Sequence, residues 1–387
     1  MKIVLAPDSF KENLTSLEVA GEIEKGIRRV FPKARCVKVP VADGGEGTVQ
    51  SLVDATGGRL VRCRVKAPLG NIVTARYGLL GDGRTAIIEM AEASGLHLVP
   101  RGRRNPMLTS TYGTGQLLLD ALRRGVRTII IGIGGSATND GGAGMAQALG
   151  ARFLDGRGRP IAGTARGGML DKIRAIDVSG MNARLRRVKI MVACDVTNPL
   201  YGPRGASHVY GRQKGATPVM AAKLDRNLRH FARLIRRDLG TDVSRRPGAG
   251  AAGGLGAGLM AFTRAQLKRG IELVIKATRL ESHMKGADLA ITGEGRVDFQ
   301  TAFGKTPSGV AKAARRHGVP VVAIGGGLAD DARGVFAHGI DGLESATPDA
   351  MPLEEAIRKS RQYLQDAGER VARLILIGRR MRRPRKR

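Results

Sequence analysis

At 387 residues the chain exceeds what one hydrophobic core usually organises, so length favours two domains. A formal charge of +31, from 65 Lys+Arg against 34 Asp+Glu, brings nucleic acid, acidic surfaces and anionic metabolites forward as partners, but aromatics at 3% with no Trp disfavour nucleic acid by offering few stacking platforms. The three cysteines, Cys36, Cys63 and Cys194, form no CxxC and adjoin no histidine pair, which argues against structural zinc and for a reducing compartment, the cytoplasm; no apolar stretch reaches membrane-spanning length.

Lys2 to Ala6 reads as a strand that ends in Ala6-Pro7-Asp8-Ser9-Phe10-Lys11. This sets a carboxylate, a hydroxyl and an ammonium where open α/β folds bind ligands, just past a strand's carboxyl end. A polar turn with Asp8 or Ser9 capping a helix is the plainer reading. Val19, Ile23, Ile27 and Val30 fall at helical spacing, and Cys36 to Val39 predicts a second strand. In Asp43-Gly44-Gly45-Glu46-Gly47-Thr48, glycines admit a ligand to the backbone between two carboxylates suited to Mg²⁺, or simply make a turn. Leu60 to Val65, Val73 to Leu80 and Thr85 to Met90, split by glycine-rich turns, predict antiparallel strands.

Beyond these, Thr128 to Ile131, Val188 to Ala193, Leu289 to Thr292 and Val319 to Ile324 are the continuous apolar runs of a parallel sheet buried on both faces. The loop from Gly132 to Gly144 lies between the first of them and a helix running to about Leu149. Its glycines leave N–H groups for anion oxygens, and Ser136, Thr138 and Asn139 add side-chain donors near a positive helix end. Gly132-Ile133-Gly134-Gly135-Ser136-Ala137 also fits a dinucleotide fingerprint, with Asp155 at a suitable distance, but Asn139-Asp140-Gly141-Gly142 would interrupt the helix that motif requires. Asp195 follows the second run, with Asn198, Arg204 and Lys214 downstream; a base with cationic clamps, or an Asx turn, accounts for it. Arg245 to Gly258 reads as a loop or crossover between bodies. Thr292-Gly293-Glu294-Gly295-Arg296-Val297-Asp298 follows the third run, and the later Gly304-Lys305-Thr306 imitates the end of a Walker loop whose leading glycine is replaced by Phe299. The dense basic run from Gly378 to Arg387 reads as a solvated tail.

Together these stretches resemble the bacterial glycerate kinase family that lacks a Walker motif. The residues carrying the resemblance are APDSFK at Ala6 to Lys11, PVADGGEGT at Pro40 to Thr48, GIGGSATNDGG at Gly132 to Gly142, CDVTNPLYGPRGA at Cys194 to Ala206, GAGAAGGLG at Gly248 to Gly256 and ITGEGRVD at Ile291 to Asp298. Arg212, where the family commonly has proline, and Phe299, at a position often small, depart from it. The resemblance implies a two-domain α/β protein: a Rossmann- or flavodoxin-like parallel-sheet domain over residues 1–75 and 286–378, a second mixed α/β domain over 76–285 inserted in it, and a basic tail at 379–387. It also implies an ATP-dependent kinase acting on D-glycerate, with 2-phosphoglycerate favoured over 3-phosphoglycerate, with ATP and Mg²⁺ as cofactors and with room for a homodimer. A basic nucleic-acid-associated protein and an NAD-dependent oxidoreductase are the alternatives.

Residue roles follow from the chemistry of phosphoryl transfer, which needs positioning and neutralisation of charge. Gly134, Gly135, Ser136, Thr138, Asn139, Gly141 and Gly142 are expected to cradle ATP phosphates, and Asp43, Glu294 and Asp298 to hold Mg²⁺ directly or through water. Lys11 and Arg296 are expected to neutralise the γ-phosphate or grip the glycerate carboxylate. Asp195 or Asp8 is expected to take the hydroxyl proton, and Ser9, Asn198, Arg204 and Lys214 to contact substrate.

Overall fold

The structure, a computed structural model, describes residues 1–302 and 305–381. In chain order its strands are β1 (Lys2–Leu5), β2 (Arg35–Lys38), β3 (Arg59–Lys66), β4 (Ile72–Leu79), β5 (Thr85–Glu89), β6 (Thr128–Gly132), β7 (Arg152–Leu154), β8 (Ala175–Asp177), β9 (Lys189–Ala193), β10 (Gln266–Lys268), β11 (Leu289–Val297), β12 (Val321–Leu328) and β13 (Gly342–Ser345). They are distributed over two compact units. One comprises Met1–Asp43, Gln50–Gly57 and the described chain from Ile271 on; the other comprises Gly44–Val49 and Gly58–Gly270.

The first unit holds the sheet β13-β12-β11-β1-β2, parallel throughout. Counted within the unit this is order 2-1-3-4-5, the flavodoxin-like doubly wound arrangement, and chain order reverses between β1 and β11. Ile3, Leu5, Ile291 and Ile324 share a core with Val19, Ile23 and Ile27 of the helix Ser16–Val30 and with Leu364 and Val371 of the helix Leu353–Met381. Thr15 and Glu18 start the first of these helices with a reciprocal capping box. The two helices meet backbone to backbone, because a Cβ on Gly26 would stand 1.8 Å from the carbonyl oxygen of Gln365. Arg379, Arg380 and Met381, expected in the basic tail, complete the longer helix; residues 382–387 of that tail lie outside the described residues.

One strand outruns its apolar stretch. Glu294, Arg296 and Val297 of β11 pair with Gly325, Gly327 and Leu328 of β12, so the strand expected over Leu289 to Thr292 continues to Val297. Ladder pairing uses main-chain groups and does not need apolar side chains.

The second unit holds the mixed sheet β10-β9-β6-β5-β4-β3, antiparallel across β3, β4 and β5 and parallel from β5 to β10. Ile129, Ile131, Ile190 and Val192 pack with Leu117, Leu118, Met145 and Leu255, while Phe153, Phe231 and Phe262 centre a second cluster. Because β3 and β4 pair into this sheet, the boundary expected at 75 lies earlier, after Gly57, and the one expected at 285 lies earlier too, at Gly270. Arg245 to Gly258 is no crossover between the units, since both its flanks lie in the second. No helix among the described residues is long and apolar enough to cross a membrane.

Candidate active site

In the first unit the switch between β1 and β11 gathers acids. The chain leaving β1 stays beside β11, with Ala6 N donating to Ile291 O at 2.7 Å and Asp8 N to Gly293 O at 2.8 Å. Asp8 is thereby held 8% exposed, its Oδ1 accepting from Ser9 N at 2.7 Å and its Oδ2 from Thr306 Oγ1 at 2.5 Å. Burial, reinforced by the charges of Asp43 and Glu294, lifts its pKa to about 7 against the hydrogen bond from Thr306. Burial also raises Glu294, whose Oε1 accepts from Thr301 Oγ1 at 2.7 Å. Lys305 Nζ lies 3.6 Å from Glu294 and 3.5 Å from Asp298; burial opposes it, but this ammonium and the turn N–H groups hold Asp298 low.

Asp8, Asp43, Glu294 and Asp298 thus share one neighbourhood with Ser9. No group of three His, Cys, Asp or Glu arranged to hold a metal occurs among the described residues. Glu294 and Asp298, which share the Lys305 ammonium, are carboxylates of the type that bind Mg²⁺ only together with water and phosphate, not as an all-protein cage. Lys11 and Arg296 are exposed, the one in the turn after Phe10, the other on β11. Lys305 and Thr306 went unassigned in the sequence because their Walker-like context lacked its glycine. Thr306 in fact opens the helix Thr306–Arg315 with its hydroxyl on Asp8.

The glycine loop of the second unit divides in two. Gly134 and Gly135 are exposed after β6, and Ser136 to Asp140 are buried. Gly141 N donates to Gly253 O at 3.0 Å and Gly142 N to Asp140 Oδ1 at 3.1 Å, so neither offers its N–H to a phosphate. The positive helix end is also closed. Ala143–Ala148 is a short helix whose Gly144 N and Met145 N donate to Asp140 and to Thr111 Oγ1. What remains for an anion is the turn Gly134–Ser136. Behind it, Thr138 Oγ1 and Asn139 Oδ1 are buried without a hydrogen-bond partner among the described residues, while Asn139 Nδ2 donates to Ser207 Oγ. Lys214 is no exposed clamp. It is 1% exposed, donates at 2.7 Å to Ser136 Oγ and to Thr138 O, and is brought by burial down to about 7.

Asp140 was missed by sequence reasoning, although NDGG displayed it. Its carboxylate accepts from Thr111 N and Oγ1, both at 2.8 Å, and from Gly142 N and Gly144 N; burial raises its pKa against these bonds. An Asp140→Asn variant turns an NH₂ toward some of these donors, so we expect a loss of about 1–3 kcal/mol, read by denaturant unfolding. Glu89, unremarked at the end of β5 opposite Gly132, accepts from Val49 N at 2.9 Å and is raised by burial to about 7.

The remaining candidates lie past β9. Asp195 is exposed, with Gly270 N donating to its Oδ1 at 3.3 Å. Asn198 ties its own loop, donating to Arg204 O and accepting from Tyr210 Oη, and the Arg204 side chain is exposed. The dinucleotide reading fails locally: the helix begins only at Ala143, past Gly142, and Asp155 folds back to accept from Arg157 N and Arg159 N.

Known proteins match the chain over nearly its whole length. The profile of the Glycerate kinase family matches residues 3–376. A glycerate kinase of Halalkalibacterium halodurans is 56% identical over 96% of this chain and 97% of its own. A glycerate 2-kinase of Escherichia coli K12 is 52% identical over 98% of this chain and 99% of its own. The crystal structure of a Salmonella typhimurium LT2 protein superposes with a TM-score of 0.91 at 52% identity, covering 98% of this chain and 99% of that one.

Proposed function

Because the chain belongs to the glycerate kinase family, we propose that it transfers the γ-phosphoryl group of ATP to the 2-hydroxyl of D-glycerate, in the cytoplasm. The observation that carries the reading is Asp8, a buried carboxylate brought near neutrality by burial and flanking acids, as a general base at physiological pH requires. In this reading Asp8 receives the hydroxyl proton of glycerate, and Ser9 beside it helps orient the substrate. Asp195, exposed past β9, is the weaker candidate for the base.

Lys11, Arg296 and Lys305 supply positive charge to the transferred group or to the glycerate carboxylate. Glu294 and Asp298, with Asp43 near, suit Mg²⁺ held by one or two carboxylates directly or through water. When bound, that ion neutralises charge on the phosphates. Gly134, Gly135 and Ser136 meet nucleotide phosphates through main-chain N–H groups. Three unpaired thiols accord with a reducing compartment, and the name of the Escherichia coli relative favours the 2-position.

Phosphorus NMR of ATP incubated with D-glycerate, Mg²⁺ and the protein tests this. A product on C2 couples to one proton and gives a doublet; a product on C3 couples to two and gives a triplet. We expect the doublet, and no new phosphomonoester signal would remove glycerate as the acceptor.

A further inference from the structure

Lys214 ends a single 3-10 turn, Arg212–Lys214, and its ammonium is almost wholly sequestered. Its partners are neutral, the Ser136 hydroxyl and the Thr138 carbonyl. No carboxylate lies within ion-pair distance of it among the described residues, and Asp140 acts on it only through space. A buried ammonium with only neutral partners is expensive to keep charged. That expense falls when an anion settles close by. The turn Gly134–Ser136 is where one would settle, because two exposed glycines adjoin the serine that accepts from Lys214.

We propose that Lys214 is a positioning residue that couples to polyphosphate at the Gly134–Ser136 turn through Ser136, so that nucleotide binding fixes its ammonium form and draws a proton from solvent. The inference rests on the kinase reading of the same site and adds a linked proton to it. Burial sets Lys214 near 7 without ligand, so above that pH the unliganded enzyme holds it mostly neutral, and an incoming anion shifts it to the charged form. Asp140 under the loop acts on it electrostatically, Arg212 shares its turn, and the Arg104 carbonyl lies against Gly215, the next residue. Asp140 accepts from four protein donors, which oppose the rise that burial gives its carboxyl.

The test is isothermal titration of ATP with Mg²⁺, without glycerate, in buffers of different ionisation enthalpy at pH 6 and pH 8. The parent should take up close to one proton at pH 8 and much less at pH 6. Lys214→Arg should bind ATP with similar affinity and no uptake. Lys214→Met should bind about 10–100-fold more weakly, also without uptake, from the loss of charge-assisted hydrogen bonding. If Lys214→Met does not fold, the parent and Lys214→Arg decide the matter. A parent that takes up no proton at pH 8, or a Lys214→Arg variant with undiminished uptake, overturns the inference. Should that happen while phosphorus NMR still shows phosphoglycerate, the kinase reading stands; should the parent not bind ATP at all, both fall.

Discussion

An Asp8→Asn variant is expected to lose about 10²–10⁴-fold in kcat, the usual contribution of a positioned general base, while melting at a higher temperature than the parent at pH 8. The two effects share one cause. Asp8 is buried beside Asp43 and Glu294, and its folded-state pKa of about 7 stands above the ordinary 3.8. A carboxyl raised in this way keeps its proton in the folded state between about 4 and 7, where the unfolded chain has lost it. Its stabilisation is therefore complete below about pH 4 and is lost as pH rises through 7, above which a buried charge remains uncompensated. Three pKa units correspond to about 4 kcal/mol, as an order of magnitude. Asparagine removes that charge, its oxygen still accepting from Ser9 N while its NH₂ donates to the Thr306 hydroxyl. Melting curves at pH 5 and pH 8 check it: the gain should be large at pH 8 and small at pH 5. An equal gain at both, or turnover near the parent's, would take Asp8 out of the role given to it.

A Gly253→Ala variant should destabilise the second unit by about 2–5 kcal/mol and abolish measurable ATP binding. Ala252, Gly253 and Gly254 have φ of 54°, 68° and 89°, a left-handed run before the regular part of the helix Ala251–Thr263. A Cβ at Gly253 would stand 1.9 Å from the Thr138 carbonyl oxygen and 2.6 Å from Asn139 Cα. The left-handed conformation costs a side chain about 1–2 kcal/mol, and the overlap adds about 1–3 more, because the atoms it meets are backbone. That same carbonyl accepts from Lys214, and Gly253 O accepts from Gly141 N, so the displacement passes directly into the glycine loop. Gly163→Ala is the control: its φ is 74° with nothing within 4 Å of the added carbon. Denaturant unfolding of both variants isolates the overlap; if they unfold alike, the close approach is not restrictive.

Much of this was legible in the sequence. Apolar runs located β1, β6, β9 and the start of β11, since a strand buried on both faces must be apolar throughout, and alternation with turn glycines located β3 to β5. The acids Asp8, Glu294 and Asp298 could be found because each follows or extends such a strand. The rest depended on who bonds to whom. Nothing in GGSATNDGG tells that Asp140 caps the helix behind it, or that Gly141 and Gly142 spend their N–H groups on protein acceptors. Arg245 to Gly258 reads as a loop or crossover because small residues that admit a neighbouring backbone have the same composition as small residues that join bodies. Asn198 and Lys214 looked available for substrate because a lone polar side chain carries no mark of an internal partner.

The position of β1 governs how the protein emerges from the ribosome. Thr292 hydrogen-bonds Ala6 across 286 positions of chain, so β1, an inner strand of the first sheet, is synthesised long before β11, its neighbour, exists. Until then β1 has only β2 beside it and presents an open edge, the type of surface on which nascent chains associate wrongly. The intervening residues, which supply all six strands of the other sheet, can meanwhile complete their own pairing. Translation thus gives this enzyme a fixed order of assembly, inner segment first and enclosing segments last.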